Sequence, residues 1–199
     1  MLESVRAAVQ PLLEPGEQLI EAARVTLVPG IPRPPEQYLA PARPSAVEER
    51  LAKPFGLLRR AYTAVNPLSS AVGAVEDRMV GAVPDSVFHG TGMGGGWESA
   101  AGRFVIRLHT DGGHTSGLLA VTDRRVAVAV DRSALWQLFS EEYALHWAVP
   151  RHEVRELRRN ATGVIQRGRI DLLFADGSWA GVTADLPRNA DPLVAAFHG

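Results

Sequence analysis

The residues Gly90-Thr91-Gly92-Met93-Gly94-Gly95 match the G-x-G-x-x-G spacing that can cradle a pyrophosphate. That chemistry needs a buried strand running into the glycines and a long helix opening after them, because the helix N-terminus holds the phosphates. Asp111 even sits near the acidic spacing of such a motif. However, Asp85–His89 is a poor strand, and Gly102 soon interrupts whatever follows Gly96. The segment reads as a flexible glycine linker, and no cofactor is expected.

His109, Asp111 and His114 could reach one metal ion from a loop. A glycine-bearing turn holds ligands loosely, HTDGGHT is an ordinary polar turn, and no further ligand is evident, so no metal site is expected. Serine hydrolysis needs a nucleophile on a strained turn beside a base. No G-x-S-x-G occurs, and Ser116, Ser133 and Ser178 fall in ordinary turns. The adjacent acids Glu48/Glu49 and Glu141/Glu142 diverge on a helix and make no acid–base couple. The expectation is a chain that is not an enzyme.

Binding chemistry has two candidates. Residues 151–169 carry a local basic excess, with Arg151, Arg155, Arg158, Arg159, Arg167 and Arg169 against Glu153 and Glu156. Such a strip suits either an anionic partner or a solvated edge strand whose charges block unwanted pairing. The second candidate is the apolar face of Phe55, Leu58, Tyr62 and Val65, flanked by Lys53, Arg59 and Arg60. An amphipathic face like this packs on its own domain by default, docks on a protein partner, or lies weakly on a membrane surface.

The elements that must position these residues follow from periodicity. Leu2, Val5, Val9 and Leu12 form a helical stripe that Pro11 should end. Leu19 to Val28 alternates as a strand. Six prolines between Pro29 and Pro44 forbid regular structure and mark a linker. Residues 45–81 read as two or three amphipathic helices, opened by the Ser45/Glu48 capping box. Phe104, Ile106 and Leu108 alternate as a strand towards an Asp111-Gly112 turn. Strands follow at 117–121, 125–130, 144–149, 152–157, 169–174 and 179–184, and a final helix capped at Asp191 carries Val194 and Phe197. The organisation is an N-terminal helix and first strand (1–28), a proline linker with helical block and glycine loop (29–100), and a β domain (101–199).

Composition bounds the partners. Apolar residues make up 46% and the net charge is −1, which supports a packed core and gives no global field towards nucleic acid. The absence of cysteine excludes disulfides and thiolate chemistry. No signal-like N-terminus or membrane-length apolar run is present, so a cytoplasmic location is expected. Of 21 basic residues only Lys53 is a lysine, the coding bias of a GC-rich genome, which weakens any phosphate-binding reading of the arginines.

GLLAVTDRRVAVAV (117–130), AVPRHEVRELRR (148–159) and GRIDLLFADGSWAGVTA (168–184) together resemble the PH superfamily in its GRAM and bacterial PH-like branches. The first piece is similar to the family's glycine–apolar–Thr-Asp-x-Arg hairpin, the second to its proline-led strand, and the third to its last hairpin. The helix from Asp191 matches the closing helix, and residues 12–25 match an opening strand. The resemblance implies an α+β fold, a small β-barrel or sandwich closed by a C-terminal helix with a helical insertion. The first hairpin lacks the basic cluster that binds lipid head groups in such domains. The function expected is a non-catalytic adaptor that binds a protein partner or forms a homo-oligomer, with a peripheral membrane or small-ligand role as the alternative and an enzyme of unrecognised type ranked after both. The binding residues expected are Phe55, Leu58, Tyr62, Val65, Arg151, Arg155, Arg158 and Arg159.

Overall fold

A computed structural model describes residues 3–39, 90–110, 115–132, 142–160 and 166–199. Eight strands form one antiparallel sheet: β1 (Leu19–Leu27), β2 (Met93–Gly94), β3 (Ser116–Thr122), β4 (Arg125–Asp131), β5 (Tyr143–Pro150), β6 (Val154–Arg159), β7 (Arg169–Phe174) and β8 (Trp179–Ala184). The strand order is β5-β4-β3-β1-β8-β7-β6, with β2 added beside β8. The N-terminal strand β1 thus sits centrally, paired with β3 on one side and β8 on the other. Strands from 1–28 and from 101–199 share one sheet, and Met93–Gly94 adds β2 to it.

Among the described residues three α-helices accompany the sheet: α1 (Glu3–Val9), α2 (Ala100–His109) and α3 (Ala190–His198). Pro11 falls in a 3-10 turn over Gln10–Leu12, where the sequence predicts the first helix to end. The fold is α+β, as expected, with a C-terminal helix. Among the described residues the expected barrel closure does not occur, because β5 and β6 end the strand path and do not pair with each other. The sheet instead curls round a shared core. Trp147 of β5 stands edge-on to Phe174 of β7 at 6.2 Å, and Phe104 of α2 reaches within 4.7 Å of Trp147. Aromatic edge contacts of this kind add to the burial that holds the two halves together.

Strands β3 and β4 are buried on both faces, which makes them near-continuous apolar runs. Leu119, Val121, Val126, Val128 and Val130 face the main core. Leu118, Ala120 and Ala129 turn the other way and, with Ala22, form an apolar floor for Val9 of α1. Alternation along each strand separates the two sets.

The predicted strand over 104–108 is a helix, α2. Ser99 caps it by accepting the Gly102 N–H at 3.1 Å. Ala101, Phe104, Val105 and Leu108 follow at helical spacing, and all are buried. A strand would have turned Val105 away from Phe104 and Leu108, so burial of all three decides for the helical period. The Asp111-Gly112 turn lies outside the described residues.

Two smaller corrections concern boundaries. Residues 151–153 form a 3-10 turn, so β6 starts at Val154 rather than His152. Asp191 lies inside the first turn of α3, with Asn189 at the cap position. Its carboxylate is held by Arg159 Nε at 2.7 Å.

Candidate functional site

The glycine-rich segment is a tightly packed stem. The chain leaves β1 through Val28–Ile31 and returns through Thr91–Gly94, and both passes lie against β8. Val28 N–H donates to Gly181 O at 3.1 Å, Gly181 N–H to Gly92 O at 2.8 Å, and Gly92 N–H to Gly30 O at 3.3 Å. This crossing depends on absent side chains. A β-carbon on Gly92 would lie 2.6 Å from Ile31 N, and one on Gly94 would lie 2.2 Å from Nε1 of Trp179. The expected flexible linker is therefore corrected: Gly92 is buried, and close approach is what these glycines serve.

A buried polar network lies beneath the return pass. Arg169 is 4% exposed and sits in β7, with Nε on Asp171 Oδ1 at 2.8 Å, Nη1 on Gln166 Oε1 at 2.9 Å and Nη2 on Thr91 O at 3.0 Å. Asn160 Nδ2 donates to the other Asp171 oxygen at 2.5 Å. The guanidinium also lies 5.6 Å from the Trp179 ring centroid. A buried arginine is tolerated because its donors meet acceptors and its charge meets a carboxylate. The network ties the stem, through Thr91, to β7.

The N-terminus of α2 follows these glycines, the arrangement a phosphate site requires. Here the anion position is filled from within. Asp176 Oδ2 accepts the Ala100 N–H at 2.7 Å, and Ser178 Oγ accepts the Ala101 N–H at 3.0 Å. The Ala100 N–H, with Ser178, holds the Asp176 carboxyl below its usual range. Ser178 Oγ donates to Asp176 Oδ1 at 2.5 Å and so braces the turn.

A second buried ion pair joins the N-terminal turn to the β3–β4 hairpin. Arg125 grips Glu17 through Nε–Oε1 and Nη2–Oε2, both 2.8 Å. Thr122 Oγ1 adds a 2.7 Å bond to Oε1, and Glu14 N–H a 2.8 Å bond to Oε2. Burial opposes the charged form of Glu17, yet these donors together hold its carboxyl below the usual range.

The four arginines expected to bind separate into two kinds. Arg151 reaches the C-terminal end of α3, with Nη2 on Ala196 O at 3.2 Å and on Phe197 O, and lies 5.1 Å from the Phe197 ring centroid. Arg159 holds the other end of the same helix through Asp191 and donates to Arg169 O at 3.0 Å. Both brace α3 against the sheet. Arg158 stays exposed and pairs with Glu156 through bonds of 3.1 and 2.7 Å. Arg155 is exposed. Arg169, counted within the same basic excess, is the buried centre of the stem network. Phe55, Leu58, Tyr62 and Val65 lie outside the described residues.

His109 directs Nδ1 at Val105 O, 2.9 Å away within its own helix. Asp111 and His114 lie outside the described residues, and no three metal-binding side chains gather among the described ones. His146 and Arg107 clasp reciprocally. His146 Nε2 donates to Arg107 O at 2.6 Å, and Arg107 Nε donates to His146 O at 2.9 Å. The clasp ties α2 to β5, a terminal strand of the sheet.

Sequence reasoning missed a cleft of about 410 Å³ beside the stem, lined by Gly30, Pro32, Thr91, Met93, Gly95 and Trp97. Trp97 is half-buried and faces Tyr38 across 6.4 Å. The Glu98 carboxylate accepts a hydrogen bond from the Tyr38 hydroxyl and pushes that phenol above its usual range. The one signal available for this site was a tryptophan directly after a glycine run. Among the described residues, no helix is long and apolar enough to cross a membrane. Neither a protein-family model nor a curated protein matches this chain.

Proposed function

We propose that this chain is a non-catalytic, cytoplasmic interaction module of PH/GRAM-like type, in which a curled antiparallel sheet presents the segment 40–89 to a protein partner or to a second copy. The observation that carries this reading is the stem. Residues 28–31 and 91–94 meet at one crossing over β8, so a long segment leaves and re-enters the sheet at a single point. Segments whose ends lie together are tolerated by a host domain and can act apart from it. The predicted apolar face of Phe55, Leu58, Tyr62 and Val65 then serves as the docking surface. The PH/GRAM-like part of the reading draws on the three sequence pieces and on the final helix packed against the sheet.

Affinity capture from a lysate of the source organism tests it, with the whole chain compared against a variant lacking residues 45–82. The reading expects a partner held by the whole chain alone, while the variant still unfolds cooperatively. Equal capture by both would refute it.

A second reading has one observation of its own, the exposed Arg155 and Arg158 on the terminal strand β6. They favour association with an anionic membrane surface. Co-sedimentation with anionic vesicles at low salt, lost at high salt, is the outcome this reading requires.

A further inference from the structure

The cleft beside the stem has the form of a strand slot. β2 pairs with β8 in register Met93↔Ala180 and Gly94↔Trp179, and Gly92 O takes the Gly181 N–H. In an antiparallel pair, backbone groups alternate sides from one residue to the next. The Gly92 C=O faces β8 while its N–H turns to Gly30, and Gly94 pairs with Trp179, so alternation turns the Met93 N–H and C=O away from β8, towards the side the cleft lies on. The lining agrees: Thr91, Met93 and Gly95, every second residue, form one wall, while Gly30 and Pro32 form the other. A volume of about 410 Å³ suits a few residues of extended chain and lies within the range of small-ligand sites.

The rim sets the chemistry of the occupant. Trp97 and Tyr38 present an aromatic pair at one end. Two acids flank it, Glu98 beside Trp97 and Glu36 two residues before Tyr38, and both are exposed. An aromatic face with carboxylates around it attracts a guanidinium or ammonium group. Arg33 is exposed next to Pro32 on the opposite wall and disfavours a cation there. The site is therefore polar in direction, with its cation preference at the Trp97 end.

We propose that this cleft binds a short extended peptide by strand addition to β2, with an arginine or lysine of the peptide seated at Trp97, Tyr38 and Glu98. Backbone pairing supplies sequence-independent affinity, and the aromatic–acid corner supplies specificity. The proposal rests on the interaction reading above and adds a second contact to it.

The test is selection of a displayed library of short random peptides on the intact chain. Fluorescence polarisation with the enriched peptide, synthesised and labelled, follows. Enriched sequences should carry Arg or Lys beside an apolar residue. Glu98→Arg, a change at an exposed position, should weaken binding about tenfold while the thermal transition stays cooperative. Trp97→Leu should weaken it comparably, and Arg158→Glu on β6 should leave it within about twofold. Failure to enrich any peptide, or binding indifferent to Glu98→Arg, overturns the proposal. If a lysate partner is still captured through residues 45–82 in that case, the cleft is refuted and the interaction reading stands.

Discussion

Two junctions join distant parts of this chain, and they are built in opposite ways. At the N-terminal turn, Glu17 and Arg125 form a closed latch in which both carboxylate oxygens are saturated by side-chain and backbone donors. At the stem, glycines let two passes of the chain lie on β8, and an open cleft remains beside them. A saturated charge network fixes geometry and leaves little for a ligand. A junction of bare backbone fixes position while leaving an edge to pair with. The first junction is closed on itself, and the binding proposed above falls to the second.

The sharpest way to break this contrast is Arg125→Ala. It strands the buried Glu17 carboxylate and should cost about 3–5 kcal/mol in urea denaturation. A loss below about 1 kcal/mol would show the latch to be ornamental. The same pair sets an acid limit. The folded-state pKa of Glu17 is depressed, so its contribution is fully present above the ordinary value of 4.5 and is lost as pH falls through the folded value. Chemical denaturation as a function of pH should therefore show stability falling on that acid side, with a shallower fall in Arg125→Ala.

The stem comes next in magnitude. Gly94→Ala places a β-carbon against Trp179 and should cost about 1–3 kcal/mol. Hydrogen exchange should localise the loss to residues 91–94 and 179–181, with β3 and β4 still protected. Uniform deprotection would mean that the stem is part of the sheet's cooperative core.

Ser99→Ala removes the α2 cap and should cost about 1 kcal/mol by thermal unfolding. At the low end, Arg158→Ala removes an exposed pair and should move stability by less than about 0.5 kcal/mol.

The sequence announced the strands clearly, for a physical reason. Val126, Val128 and Val130 alternate with Ala127 and Ala129 because each set faces a different apolar layer. The last hairpin over 168–184 and the final helix were equally legible, since turn chemistry and helical spacing are local. Helix α2 was misread because Phe104, Ile106 and Leu108 also satisfy a period of two. The deciding signals were the Ser99 cap and the buried Val105. The glycine stem was misread for a different reason. Composition marks glycine as a loop former, while its packing role depends on Trp179 and Gly181, far along the chain. The arginine strip looked uniform in sequence, yet Arg151 and Arg159 reach α3 while Arg155 and Arg158 face solvent. That sorting depends on where the last helix docks, which no local pattern states. Trp97 and Tyr38 carried no periodic signal at all.

The central claim is that the sheet is complete without the segment its stem presents. Thermal unfolding of the variant lacking residues 45–82 tests this most directly. The account predicts a single cooperative transition within about 4 °C of the whole chain, which corresponds to a change of about 1 kcal/mol or less. Loss of the transition, or a fall several times larger, would mean that the segment belongs to the core and would contradict the account.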